Sequence, residues 1–208
     1  MNFFEKYGIK IILILFLSFS YSITAETKKL LVLGDSISAG YGLKESENWV
    51  RLLEISLKTS GKALQIINSS ISGDTTIGGL SRIETDLQEH EPDYVLVELG
   101  GNDALRGYPI NKIKSNLLKI IEASVKEKAK PIIMQIRIPP NYGKNYVAAF
   151  ESIYSEIAVE KNIPKMSFLL EKVALDKSLM QLDGIHPNKK AQPIIVEQVK
   201  KELLSILK

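Results

Sequence analysis

Short apolar runs alternate with longer amphipathic segments along this chain, and this alternation restricts the fold more than any other feature. Runs this uniformly apolar are typical of strands covered on both faces, as in parallel sheets. Between them, apolar residues recur at helical spacing from Trp49 to Leu57 and from Ile113 to Val125. The pattern predicts an α/β domain with a parallel sheet and right-handed crossovers. The apolar runs are 29–34, 63–68, 93–100, 131–138 and, more weakly, 164–169.

The length of the chain suits one domain. Its 208 residues, 45% hydrophobic and 25% charged, are enough for a sizeable core and have an ordinary globular composition. We expect a single domain over 26–208, closed by a helix after Pro187. A proline in the first turn of a helix loses no hydrogen bond, and we expect Pro187 to lie there.

The N-terminus has the features of a secretory signal peptide. Two lysines precede an apolar run over 11–19, and small residues follow up to Ala25. The run is shorter than the roughly 20 residues of a membrane-spanning helix, although a retained anchor remains the alternative. We therefore expect residues 1–25 to be removed near Ala25, leaving a periplasmic or secreted protein with no stable membrane anchor. The chain has no cysteine, which excludes lipoprotein processing and disulfide bonds.

The charge of the chain argues against nucleic acid as a partner. The formal net charge is +3, and no basic stripe with interleaved aromatic residues is present. We also find no metal-binding cluster, cofactor fingerprint or phosphate loop, so no metal or cofactor is expected. We expect the protein to act as a monomer.

Small polar residues follow three of the predicted strands. Ser36 follows the first run, Gly73 comes shortly after the second, and Asn102 follows the third. In open parallel sheets, ligands bind beyond the carboxyl ends of the strands. We therefore expect the three residues to meet at one edge of the sheet.

The chain has two histidines, in different settings. His90 lies between a helix end and a strand start, at the opposite edge of the sheet, and is expected to be a surface or capping residue. His186 lies three residues after Asp183 in "DGIHPN". That spacing lets a carboxylate bind the imidazole Nδ1–H and leaves Nε2 free as a base. Taken alone, the motif fits equally well an aspartate that caps a turn.

Together these residues favour nucleophilic catalysis. A serine hydroxyl needs a base to remove its proton, and the base needs a third group to orient it; Ser36, His186 and Asp183 supply the three parts. The N–H groups of Ser36 and Gly73 and the side-chain amide of Asn102 can donate to an oxyanion. The sequence around Ser36 lacks the G-x-S-x-G elbow of the α/β-hydrolases.

Four segments resemble the sequence blocks of the GDSL, or SGNH, hydrolases: "GDSISAGYG", "ISGDTT", "VELGGNDALRG" and "DGIHPN". The likeness covers nearly the whole predicted domain and is greatest to periplasmic bacterial enzymes described as acyl-CoA thioesterases, lysophospholipases and arylesterases. It implies a flavodoxin-like three-layer α/β/α sandwich with strand order 2-1-3-4-5. It also implies Ser36 as nucleophile, His186 as base, Asp183 as its partner, and an oxyanion hole from Ser36, Gly73 and Asn102. Ile37 replaces the leucine that gives the family its name.

Two loops at the same edge are candidates for an acyl pocket. One, 104–109, carries Leu105 and Tyr108, and the other, 138–143, carries Pro139 and Tyr142. Their apolar surface favours an acyl ester or thioester, including lysophospholipids, although ordinary packed loops are the alternative. A carbohydrate or cell-wall O-acetylesterase and a non-catalytic lipid-binding domain are the other function classes. Asp35 is expected to be a structural hydrogen-bonding residue rather than a second catalyst.

Overall fold

The computed structural model describes residues 27–207. The expected signal peptide lies outside these residues. Within this described part of the chain, five strands form one parallel sheet in the order β2-β1-β3-β4-β5, which confirms the predicted architecture and strand order. The strands are β1 (Lys28–Gly34), β2 (Leu64–Asn68), β3 (Tyr94–Glu98), β4 (Lys130–Met134) and β5 (Lys165–Met166).

Helices connect the strands. They are α1 (Ser36–Ala39), α2 (Trp49–Thr59), α3 (Thr76–His90), α4 (Gly101–Leu105), α5 (Ile110–Lys126), α6 (Lys144–Lys161) and α7 (Gln192–Ile206). Short 3-10 helices lie at Glu45–Glu47, Pro140–Tyr142 and Lys177–Leu179. Because every strand is parallel to its neighbours, all five carboxyl ends lie at one edge of the sheet.

The core consists of two apolar clusters, one on each face of the sheet. Alternate residues of a strand point to opposite faces, so Leu30 joins one cluster and Leu31 the other. Helices α2 and α7 cover the first face, and α3, α5 and α6 cover the second. The packing produces the expected three layers.

Two local expectations were wrong. Pro187 does not lie in the first turn of α7; it pairs with Met180 in an isolated bridge, and Pro193 occupies that turn instead. The turn before α7 is held by Asn188, whose Nδ2 donates to the carbonyls of Ser178 and Met180. The fourth apolar run stops being a strand at Met134, where both of its neighbours also end: β5 at Met166 and β3 at Glu98.

Over residues 27–207, no helix combines the length and apolar character needed to cross a bilayer.

Candidate active site

Ser36 is the first residue of α1, directly beyond the end of β1. The preceding residue, Asp35, caps the helix, and its Oδ1 accepts the N–H of Ile37 at 3.0 Å. The first N–H groups of a helix have no acceptor within the helix. The N–H of Ser36 is therefore available to a ligand at the same place as its hydroxyl.

His186 contacts Ser36 across 150 positions of sequence. The distance between His186 Nε2 and Ser36 Oγ is 2.8 Å. The other ring nitrogen, Nδ1, lies 2.8 Å from Asp183 Oδ2. The structure therefore brings the three sequence-predicted residues together as a continuous hydrogen-bonded chain.

The carboxylate of Asp183 serves two purposes. Its Oδ1 accepts the N–H groups of Ile185 at 2.9 Å and of His186 at 3.0 Å, while Oδ2 contacts the His186 ring. One oxygen of the carboxylate therefore holds the turn, and the other contacts the imidazole. Partial burial raises the pKa of Asp183, but the hydrogen bonds from His186 and Ile185 outweigh it and lower the pKa to about 2. Asp183 is thus an acceptor throughout the neutral range.

The segment that carries Asp183 and His186 lies after β5 and has little regular structure. Gln181 helps attach it to the rest of the protein, because its Nε2 donates to the carbonyl of Tyr41 at 2.7 Å. The Tyr41 ring packs against the His186 imidazole with 4.5 Å between centroids. Sequence analysis missed Tyr41, since nothing in its local pattern indicates a contact with the histidine.

Gly73 lies in the turn between β2 and α3 with φ +80°, a conformation that favours glycine. A Cβ built on Gly73 meets no atom within 4 Å, so this stretch of backbone borders open space. The Arg106 Nη2 donates to the Gly73 carbonyl at 3.2 Å and connects this turn to the chain after α4.

Asn102 lies in the first turn of α4, directly after β3. Its Nδ2 donates to Asp35 Oδ2 at 3.1 Å. Since Asp35 directly precedes Ser36, this bond connects the Asn102 amide to the segment that carries the serine. The next residue, Asp103, accepts both the N–H of Thr76 at 2.9 Å and its hydroxyl at 2.6 Å. Asp103 thereby ties the Asn102 loop to the start of α3, close to Gly73.

The sequence that carries this site matches a known protein family. Residues 32–193, more than half of the chain, match the GDSL-like lipase/acylhydrolase family. The chain belongs to this family. It is therefore an enzyme that hydrolyses carboxylic esters, and its Ser36 lies in the block from which the GDSL family takes its name.

Individual relatives of this GDSL hydrolase are similar over most of their length. The chain is 46% identical to an arylesterase of Vibrio mimicus over 195 residues, 94% of this chain and 97% of the relative. It is 44% identical to thioesterase 1/protease 1/lysophospholipase L1 of Escherichia coli K12, covering 86% of this chain and 85% of that one. The crystal structure of the psychrotrophic esterase EstA from Pseudoalteromonas sp., inhibited by monoethylphosphonate, superposes with a TM-score of 0.85 at 40% identity. That match covers 86% of this chain and 98% of EstA.

The two candidate acyl loops of this GDSL hydrolase are partly open to solvent. Leu105 is half-buried against the cluster beneath α3, α5 and α6, whereas Tyr108, Pro139 and Tyr142 are exposed. The Tyr146 hydroxyl donates to the Tyr108 carbonyl at 2.8 Å and fastens the first loop to α6. Two surface grooves of about 470 and 260 Å³ lie elsewhere, along α2 and β2.

Two buried carboxyl groups lie behind Ser36. Glu98, at the end of β3, is 2% exposed and accepts the Ser38 hydroxyl at 2.7 Å; Asp35 is 5% exposed. Burial raises the pKa of Asp35 to about 6. The Ile37 N–H, the charge of His186 and the Asn102 amide each lower this pKa, but burial has the larger effect. Burial and the charge of Asp35 raise the pKa of Glu98 well above its usual range. Sequence analysis missed Glu98, although an acidic residue in the interior of an apolar run was an available signal.

Replacing Glu98 by glutamine is expected to stabilise the protein more at high pH than at low pH. The raised pKa means that folded Glu98 retains a proton which the unfolded chain releases. The unfolding free energy of the parent therefore falls as pH rises from the ordinary glutamate pKa to the folded value. Glutamine has no such slope and still accepts from Ser38. Urea unfolding at about pH 5 and about pH 8 measures the difference. Glu89→Gln, exposed on α3, is the control, and an equal effect of Glu98→Gln at both pH values would contradict the prediction.

Proposed function

We propose that this GDSL hydrolase cleaves carboxylic esters and thioesters through an acyl-enzyme formed on Ser36. The supporting observation is the hydrogen-bonded chain from Ser36 Oγ through the His186 ring to Asp183, with 2.8 Å at each step. His186 Nε2 takes the hydroxyl proton as Oγ attacks the acyl carbon. Asp183 holds the ring and stabilises the imidazolium.

The attack of Oγ gives a tetrahedral intermediate, which then collapses to the acyl-enzyme. The carbon–oxygen or carbon–sulfur bond to the leaving group breaks, and His186 gives its proton to the departing alcohol or thiol. Water, deprotonated by His186, next attacks the acyl-enzyme and releases the carboxylic acid and free Ser36. A fluorophosphonate probe should therefore label the peptide containing Ser36, and a folded protein that resists labelling would argue against an acyl-enzyme on Ser36.

We assign the oxyanion hole to the N–H groups of Ser36 and Gly73 and the side-chain amide of Asn102. Ser36 is the first residue of a helix, where its N–H has no helical acceptor, and Gly73 borders open space. Donors that are already in place when charge develops account for much of the rate of acyl transfer.

Asn102→Ala is expected to lower kcat by roughly 10²–10³ with KM little changed, because an oxyanion donor acts mainly in the transition state. Asn102→Asp should be at least as damaging, since it keeps the shape but replaces two donors with acceptors. Ester kinetics and melting temperatures are measured on the same preparations. An Asn102→Asp protein that melts like the parent and keeps full kcat would remove Asn102 from the oxyanion hole.

The proposed substrate carries a medium to long acyl chain, and lysophospholipids are included. Relatives named arylesterase and thioesterase 1/protease 1/lysophospholipase L1 support esters and thioesters as a class. The apolar side chains of Leu105, Tyr108, Pro139 and Tyr142 on loops at the carboxyl edge of the sheet support an acyl chain over a sugar.

Activity should rise from acetyl towards medium-chain p-nitrophenyl esters. Each buried methylene contributes about 0.8 kcal/mol, or roughly fourfold in kcat/KM when it is realised in the transition state. Leu105→Ala should reduce kcat/KM for the longer chains most, while Leu204→Ala, half-buried on α7, should leave the profile unchanged. A strict preference for acetyl esters would instead favour a carbohydrate O-acetylesterase.

We also propose that residues 26–208 are exported as one catalytic domain after removal of residues 1–25. The short apolar run and the small residues up to Ala25 support this proposal. N-terminal sequencing of the protein recovered from cell fractions tests both the cleavage position and the compartment.

A further inference from the structure

The Asp35 carboxylate connects two parts of the proposed catalytic machinery. Its Oδ1 accepts the N–H of Ile37 at 3.0 Å, within the helix that begins with Ser36. Its Oδ2 accepts Asn102 Nδ2 at 3.1 Å. Asp35 is 5% exposed, so this carboxylate has few other partners available.

An asparagine amide can turn over with almost no change of shape, because its oxygen and NH₂ ends are nearly the same size. The two orientations have opposite chemistry, since one end donates and the other accepts. An ionised carboxylate only accepts. Asp35 therefore favours the orientation of Asn102 that directs nitrogen towards it, and it repels the orientation that directs oxygen towards it.

The amide nitrogen of Asn102 carries two hydrogens, and Asp35 takes one of them. Asn102 Nδ2 makes no second hydrogen bond to the part of the chain that the structure describes. The other hydrogen thus remains available to a bound substrate. If the amide turned over, the same place would hold an oxygen, which repels an oxyanion.

We propose that Asp35 is a positioning residue that sets the Asn102 amide with its N–H directed at the oxyanion. The proposal rests on the function proposed above, in which Asn102 belongs to the oxyanion hole. Asp35 acts through Asn102 and does not touch the substrate.

Asp35 also caps α1, and the test must separate the two roles. Serine and asparagine are both good helix caps, so either can replace Asp35 at the start of α1. Serine has a shorter side chain with one oxygen in place of two, so it can keep the bond to Ile37 but lacks the second oxygen that accepts from Asn102. Asparagine offers a donor as well as an acceptor, and so it allows Asn102 to take either orientation.

Asp35→Ser and Asp35→Asn are expected to lower kcat by roughly 10- to 100-fold with KM within about twofold, since the loss falls on the transition state. Their melting temperatures should show that the fold persists. If one variant does not fold, the kcat of the other variant provides the test. Asp93→Asn is the matched control, because Asp93 accepts the Lys29 N–H at 2.8 Å at the opposite edge of the sheet. Parent-like kcat in a folded Asp35 variant would overturn the proposal.

A double-mutant cycle with Asn102→Ala gives the decisive measurement. If Asp35 acts through Asn102, then Asp35→Ser should cost less than about threefold in kcat once Asn102 is alanine. If the two losses multiply, Asp35 acts through α1 instead and the proposal fails. If Asn102→Ala alone keeps parent kcat, both the assigned oxyanion hole and the role of Asp35 fail, whereas Ser36 labelling still tests the proposed function separately.

Discussion

Ser36→Ala is expected to reduce kcat by roughly four to six orders of magnitude while the protein remains folded. The Oγ of Ser36 lies 2.8 Å from His186 Nε2, and its removal leaves no group at that place to form an acyl-enzyme. The remaining hydrogen bonds of the site do not depend on Oγ, because Asp183 still contacts the imidazole. Binding and any oxyanion stabilisation therefore persist, and a small residual rate above the uncatalysed reaction is expected.

The measurement combines ester turnover, fluorophosphonate labelling and thermal melting. Ser152→Ala is the matched control, since Ser152 is exposed on α6 and its hydroxyl bonds Glu156. This control should keep the turnover and labelling of the parent. A folded Ser36→Ala protein with near-normal turnover would exclude Ser36 as the nucleophile.

His186→Ala is expected to cause a loss of the same order, because Ser36 then has no base to accept its proton. Ester turnover and thermal melting of the variant, measured on the same preparations, check this loss. The side chain of His186 is 15% exposed and contacts both Asp183 and Ser36.

His90 provides the control for this prediction. It lies in the last turn of α3, where its carbonyl accepts the Lys29 Nζ at 3.0 Å, at the amino edge of the sheet. His90→Ala should therefore keep the kcat and the melting temperature of the parent. If His90 proved essential and His186 dispensable, the base would have to be reassigned.

The fold could be predicted because strands that are buried on both faces consist of unbroken apolar runs, which are easy to recognise in a sequence. Residues 30–33 of β1 and 95–97 of β3 are fully buried, and such strands read as unbroken apolar runs. The end of β4 could not be predicted in the same way. Ile136 and Ile138 are also buried, but they pack as loop residues, because neither β3 nor β5 continues far enough to pair with them.

Some contacts of the candidate site could likewise be predicted from the sequence, and others could not. Ser36, Gly73 and Asn102 could be placed together because parallel strands deliver their loops to one edge, and the Asp183–His186 contact spans three residues. The bond from Asn102 to Asp35 spans 67 positions, and the bond from Ser38 to Glu98 spans 60. Both depend on the pairing of Gly34 with Glu98 between β1 and β3, which no local pattern of residues specifies.

The proposed base and nucleophile lie on parts of the chain that differ in local stability, because His186 belongs to the irregular segment after β5. Ser36 lies at the end of a buried central strand, whereas none of residues 174–186 is fully buried. That segment is held by hydrogen bonds such as those of Gln181 and Asn188, and its apolar contact with the core is limited to partly buried residues such as Leu179 and Met180. Regions with few buried contacts open at a lower free energy than the core. Mild denaturant should therefore withdraw His186 and Asp183 from Ser36 while the sheet remains intact, so that enzyme activity reports partial opening before circular dichroism reports global unfolding.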